Sequence, residues 1–159
     1  MRFNDLTAVF AYEARRRHAA DCRREEASLK RLAAMHSLIV ADLRHAVALD
    51  IQGFLGEDGH QPGSALMCHN SASPDGFIVS RTDAAVGTRR LAVDLRTGTL
   101  NCHYEARGGI GQGSDQRHLA IEIGNNGVAL SLWNQGLVRS FTTVDALSAF
   151  LLAPILGAT

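Results

Sequence analysis

Between Met1 and Gln52 the chain contains neither glycine nor proline. A stretch of that length with no helix breaker is expected to be helical, in one piece or bent in the middle. Cysteine is also scarce. Cys22, Cys68 and Cys102 are odd in number and widely spaced, which fits neither a disulfide framework nor a zinc site built on paired CxxC motifs. They read as free thiols in a reducing cytoplasm. Net charge is missing as well, sixteen basic residues balancing sixteen acidic ones. There is therefore no whole-molecule attraction to nucleic acid or anionic membrane, and little charge repulsion against self-association. No uninterrupted apolar run approaches the roughly 20 residues needed to span a bilayer. The first eighteen residues show no apolar core and no small-residue cleavage site, so no secretory signal is expected. The expected setting is cytoplasmic, without a membrane or nucleic-acid partner and without a cofactor.

The 159 residues, 46% of them apolar, suffice for one domain with a real core and are too few to expect two. A single domain over 1–159 is expected, with a helical region over 1–56, an antiparallel sheet over 64–142 and a closing helix over 143–154. The clearest piece is Arg90–Glu105, where Thr97-Gly98 separates two alternating runs as a two-residue hairpin loop does. That loop pairs Leu95 with Leu100, Val93 with Cys102 and Leu91 with Tyr104 on one face. The other face receives Asp94 with Asn101, Ala92 with His103 and Arg90 with Glu105. A slip of one residue would scramble both faces, so the alternation itself fixes the register.

Further strands are expected at Ser64–His69, Phe77–Arg81, Arg117–Ile123, from Val128 onward and over Leu137–Thr142. If Asn125-Asn126 is the next hairpin loop, Ile123 pairs with Val128, Ile121 with Leu130 and Leu119 with Leu132; a loop at Asn126-Gly127 slides these partners by two and keeps the faces. After Asn134-Gln135-Gly136, a two-residue loop puts Arg139 on the apolar face, whereas a bulge at Gly136 moves it outward. Thr142 or Thr143 can cap the last helix, which Pro154 limits.

The breaker-free region carries two apolar stripes. Phe3, Leu6, Val9 and Phe10 form a short one. Leu29, Leu32, His36, Ile39, Val40, Leu43, Val47, Ile51 and Phe54 form a long one at helical spacing. The charged run Arg15–Glu26 between them offers almost nothing to bury. Two helices folding back near Asp21–Glu25, or one strongly bent helix, is the favoured arrangement, with the second stripe on the sheet. The fold class is thus α+β, an antiparallel meander of five to seven strands covered on one face by a long or bent N-terminal helix and a C-terminal helix. A curled, nearly closed sheet capped by the last helix is the alternative.

Chemistry-bearing residues are few. Gly108-Gly109-Ile110-Gly111-Gln112-Gly113 is glycine-rich, but a strand follows it rather than a helix, so a hairpin loop is expected instead of a phosphate cradle. Cys68-His69 and Cys102-His103 are adjacent strand residues that point to opposite faces, which excludes a nucleophile–base pair in either. The polar sheet face collects His103, Glu105, His118 and Glu122, two imidazoles and two carboxylates able to hold a divalent ion or exchange protons if strand order brings them together. The plainer alternative is a solvated or partner-covered face. Trp133 is a contact-surface candidate.

No catalytic motif is present, and an enzyme is not the expectation. The sequence supports a non-enzymatic protein–protein interaction or adaptor module, a homodimer whose interface includes Phe3, Leu6, Val9 and Phe10 and which also binds an unknown protein partner. A small-ligand-binding regulatory domain is the second reading, and a metal-dependent or acid–base enzyme using the polar face the third.

Overall fold

A computed structural model describes residues 3–58, 64–83, 87–108, 114–124, 127–131 and 138–157, with residues 3–6, 57–58, 64, 127–131 and 138 described in backbone alone. The elements are α1 (Phe3–Asp58), β1 (Ser64–Asn70), β2 (Gly76–Asp83), β3 (Gly87–Arg96), β4 (Thr99–Arg107), β5 (Ser114–Gly124), β6 (Gly127–Ser131), β7 (Val138–Phe141) and α2 (Val144–Leu156). The chain divides into two compact units, Met1–Met35 and His36–Thr159.

In the first unit, α1 runs without a break through Asp21–Glu25, which corrects the expected fold-back into two helices. The reason is local. No residue there removes a backbone donor or favours positive φ, and neighbours one turn apart hold each other: Cys22 Sγ lies 3.7 Å from His18 Nε2, and Arg23 Nε donates to Ala19 O at 3.2 Å. Of the side chains described from Thr7 to Met35, Ala20 alone is half-buried and all others are exposed.

In the second unit, seven strands form one antiparallel sheet in sequence order, β1 to β7, so each strand pairs with its chain neighbours and β1 and β7 are the edges. The sheet is an open meander, not a closed barrel. The register of β3 with β4 is the expected one, Leu95 opposite Leu100, Leu91 opposite Tyr104 and Arg90 opposite Glu105. Thr97 and Gly98 take φ of 48° and 75°, the double positive φ of a type I′ turn, whose twist matches that of the strands it joins. Gly98 is required twice over, since a Cβ there would also sit 3.1 Å from His36 Cε1.

Ile123 pairs with Val128 and Ile121 with Leu130, the register of a loop at Asn125-Asn126. That loop, Leu132, Asn134-Gln135-Gly136 and Gly109–Gly113 lie outside the described residues. Leu130 pairs with Arg139, so Arg139 takes the apolar face. It is tolerated at this edge because its guanidinium lies over the rings of Phe141 and Phe150, 5.2 and 5.1 Å from their centroids.

The apolar face is built by strand alternation: Phe77 and Val79 on β2, Leu91 and Val93 on β3, Leu100 and Cys102 on β4, Leu119 and Ile121 on β5 are all buried. Val40, Leu43, Val47 and Ile51 of α1 join this core at steps of three or four, as do Leu147, Leu151, Leu152 and Ile155 of α2. Leu95 and Ile123 are only partly buried at its margin.

α2 is fixed by polar contacts at both ends. Thr143 is the N-cap, its hydroxyl accepting from Ala146 N at 3.2 Å. Ser148 Oγ donates to Asp50 Oδ2 of α1 at 2.6 Å. The helix carries no basic residue in its last turn; the sheet supplies them instead. Arg81 Nη1 donates to Leu156 O at 2.7 Å, Arg89 Nη1 to Pro154 O at 3.2 Å, and the Tyr104 hydroxyl to Leu151 O at 2.7 Å. Cationic donors at the negative end of the helix satisfy carbonyls that would otherwise lack partners. Pro154 sits inside the final turn, so the helix extends two residues beyond the expected stop.

Ile121 has no exposed surface, and Ile121→Ala should lower unfolding free energy by about 2–5 kcal/mol in urea titrations. A loss under about half a kilocalorie would mean that the site collapses around the missing atoms or is not packed.

Candidate functional site

The outer face of the sheet is the complement of the core face. Its strand positions are those that alternation turns away from α1 and α2, and the register brings His103 of β4 directly opposite His118 of β5. Glu105 stands two residues along from His103, on the same face. His103 Nε2 lies 3.1 Å from Glu105 Oε1. His103 Nδ1 lies 3.1 Å from His118 Nδ1 and 3.0 Å from His118 Nε2, with ring centroids 4.1 Å apart and planes tilted by 47°. Arg90, the cross-strand partner of Glu105, places Nη1 3.9 Å from Glu105 Oε2. Arg90, Glu105, His103 and His118 thus form a connected polar row across three strands.

The chemistry of the row follows from what each group can donate. An ionised carboxylate only accepts, so the His103–Glu105 contact is Nε2–H donating to Oε1. In the neutral ring this leaves Nδ1 of His103 as a lone pair facing His118. The Glu105 carboxyl is held below its ordinary range, first by the hydrogen bond from His103 and further by the charges of His103, Arg90 and Arg107, against a smaller opposing effect of desolvation.

Glu122 does not join. It is exposed and pairs with Thr99, four residues along β5 from His118, a separation of about 13 Å at the usual strand rise. Among the described residues, no group of three or more His, Cys, Asp or Glu side chains is arranged to hold a metal ion. Trp133 lies outside the described residues, as do the side chains of Phe3 and Leu6. Val9 and Phe10 are exposed, at 45% and 65%.

Burial withdraws two of the three thiols, while Cys22 is exposed. Cys102 is buried in the core and desolvation pushes its pKa up to about 12, so the nucleophilic thiolate is not formed near neutrality. Cys68 is also raised by burial, with Arg44 opposing. His36 is buried against Gly98 at the β3–β4 turn, a core-edge histidine.

One feature escaped the sequence. Beyond the core, the apolar face ends in a groove of about 450 Å³ between the C-terminal half of α2 and strands β3 to β5, lined by Tyr104, Leu119, Phe150 and Pro154 and by the charged residues Arg89, Arg117, Glu105 and Asp115. The signal was there in the parity of β5, which puts Arg117 on the same face as Leu119 and opposite Tyr104. Pro154 suggested an end for α2 two residues early, and nothing in the sequence said where the helix would lie on the sheet.

α1 is long and apolar enough, by length and composition, to cross a membrane: an 18-residue window within Thr7–Gly56 reaches a mean hydropathy of 1.3, with 28% of it buried. Core residues Val40, Leu43 and Val47 belong to the same helix.

No protein-family model matches the chain, and no curated protein or solved structure matches it. The geometry therefore carries the functional argument alone.

Because Glu105 has a lowered pKa, its pairing stabilises the fold above about pH 4.5 and is lost as pH falls through the lower folded-state value. Glu105→Gln should therefore reduce the urea midpoint at neutral pH, and the gap to the parent should narrow steadily below pH 4.5. A gap that stays constant with pH would show that the carboxylate's charge is not what the row uses.

Proposed function

We propose that the protein is a non-enzymatic interaction module that works as a homodimer in the cytoplasm, with α1 contributing to the subunit interface. The observation that supports this is the Met1–Met35 unit. Val9, Phe10, Tyr12, Leu29, Leu32 and Met35 are exposed by 36% to 66%, and a single helix offers nothing within its own unit to cover them. Helices without tertiary packing are marginal in water even when their sequences favour helix. Exposed apolar side chains repeated along one helix are what a second helix covers, at about 1.5–3 kcal/mol per large side chain fully buried. Leu29 and Leu32 also continue the three-and-four spacing of His36, Val40, Leu43 and Val47, so a surface of the type that packs in one unit is left open in the other. The balanced charge of the chain opposes self-association only weakly.

Sedimentation tests the proposal on the full chain beside two variants, a chain beginning at Ala27 and the full chain with Phe10→Glu and Leu29→Glu. A full-length dimer that becomes a folded monomer in either variant is the expected result. A monomer at all concentrations would refute it, and added lipid vesicles that sediment the full chain would point to the membrane as the occupant of α1 instead.

A small-ligand role is the second reading, supported by the groove beside α2. Apolar walls with Arg89, Arg117, Glu105 and Asp115 among the lining suit a ligand with an apolar body and a polar end. Arg117→Ala should abolish uptake of such a ligand without changing sedimentation, which separates the two readings.

A further inference from the structure

His103 Nδ1 is nearly equidistant from the two nitrogens of His118, at 3.1 and 3.0 Å. A point equidistant from both lies between their N–H directions, so neither makes a well-aligned hydrogen bond to it. With ring centroids 4.1 Å apart and planes tilted by 47°, His103 Nδ1 sits over the face of the exposed His118 ring, and turning that ring brings one of its nitrogens to the side of His103 Nδ1. The remote nitrogen of His103 is already committed to Glu105 at 3.1 Å. Two imidazoles directly opposite each other on one sheet face, one backed by a carboxylate on its far side, are the donor set of a metal chelate. The carboxylate fixes the tautomer and raises the basicity of the ligating ring.

The donor type narrows the metal. Imidazole suits Zn2+, Cu2+ and Ni2+, and Cu2+ leads the affinity order for nitrogen sites.

We infer that His103 and His118 form a surface two-histidine chelate for an imidazole-binding divalent ion, Cu2+ foremost, with Glu105 as the positioning residue and water in the remaining sites. The described residues supply no third ligand, so the ion is exchangeable rather than structural. Glu122 takes no part. The site uses β4 and β5 alone and stands independently of the assembly proposal.

The test is titration of the metal-free full chain with CuCl2, NiCl2 and ZnCl2 by calorimetry, with electron paramagnetic resonance of the Cu2+ form. One Cu2+ per chain with two coupled nitrogens is expected, with Ni2+ and Zn2+ both bound more weakly. His103→Ala and His118→Ala should each remove the two-nitrogen signal, with circular dichroism confirming the fold. Glu105→Gln should weaken binding about 10- to 100-fold while keeping the two-nitrogen spectrum, as loss of an outer partner does. His18→Ala controls for the His18–Cys22 neighbours on α1 and should change nothing. Absence of Cu2+ uptake, tighter binding of Ni2+ or Zn2+ than of Cu2+, or a signal that survives the His103→Ala/His118→Ala double substitution would overturn the assignment.

Discussion

Everything in the His36–Thr159 unit depends on a parity constraint: the sheet can bury one face only, and its strands must agree on which. The Thr97-Gly98 turn enforces that agreement at the centre of the meander. Its two positive φ values join β3 and β4 with no extra residue, so Leu91, Val93, Leu100 and Cys102 fall together on the core side. The turn is also a contact, since Gly98 lies against His36 and Gly98 O accepts from Ile123 N at 3.0 Å. It therefore links α1, the hairpin and β5 at one place.

The same parity makes the outer face. Once Leu91 and Tyr104 are inside, Arg90 and Glu105 are outside, and the β4–β5 register that brings Cys102 opposite Leu119 brings His103 opposite His118. The polar row is thus a geometric consequence of the core. His118, His103 and Glu105 lie at hydrogen-bond distance and Arg90 stands 3.9 Å from Glu105, all near enough to solvent that such pairs add little to stability. What the row offers is a pair of imidazoles on adjacent strands, with the tautomer of His103 fixed by Glu105.

α2 shows the opposite economy. Its apolar side chains enter the core, while its C-terminal carbonyls are met by Arg81, Arg89 and Tyr104 from three different strands. These residues lie on the core face beyond the last apolar layer, and arginine tolerates that margin because its stem packs while its head finds acceptors. The groove beside α2 is the space left where this layer ends.

The sequence by itself determined the elements, the faces of the sheet and the register of its central hairpin, because a period of two and a positive-φ turn are local properties that each strand carries in its own residues. It also determined that His103 and Glu105 share a face. The closeness of His103 to His118 needed the order of β4 and β5 and a register across the glycine-rich connection, which no local pattern encodes. The exclusion of Glu122 came from that same register. Whether α1 turns back at Asp21–Glu25 was likewise open, because a polar helical run is compatible with either course when its partner is not in the local pattern. The groove with Arg89 and Arg117 was decided by where α2 lies on the sheet, a matter of packing between elements far apart in the chain.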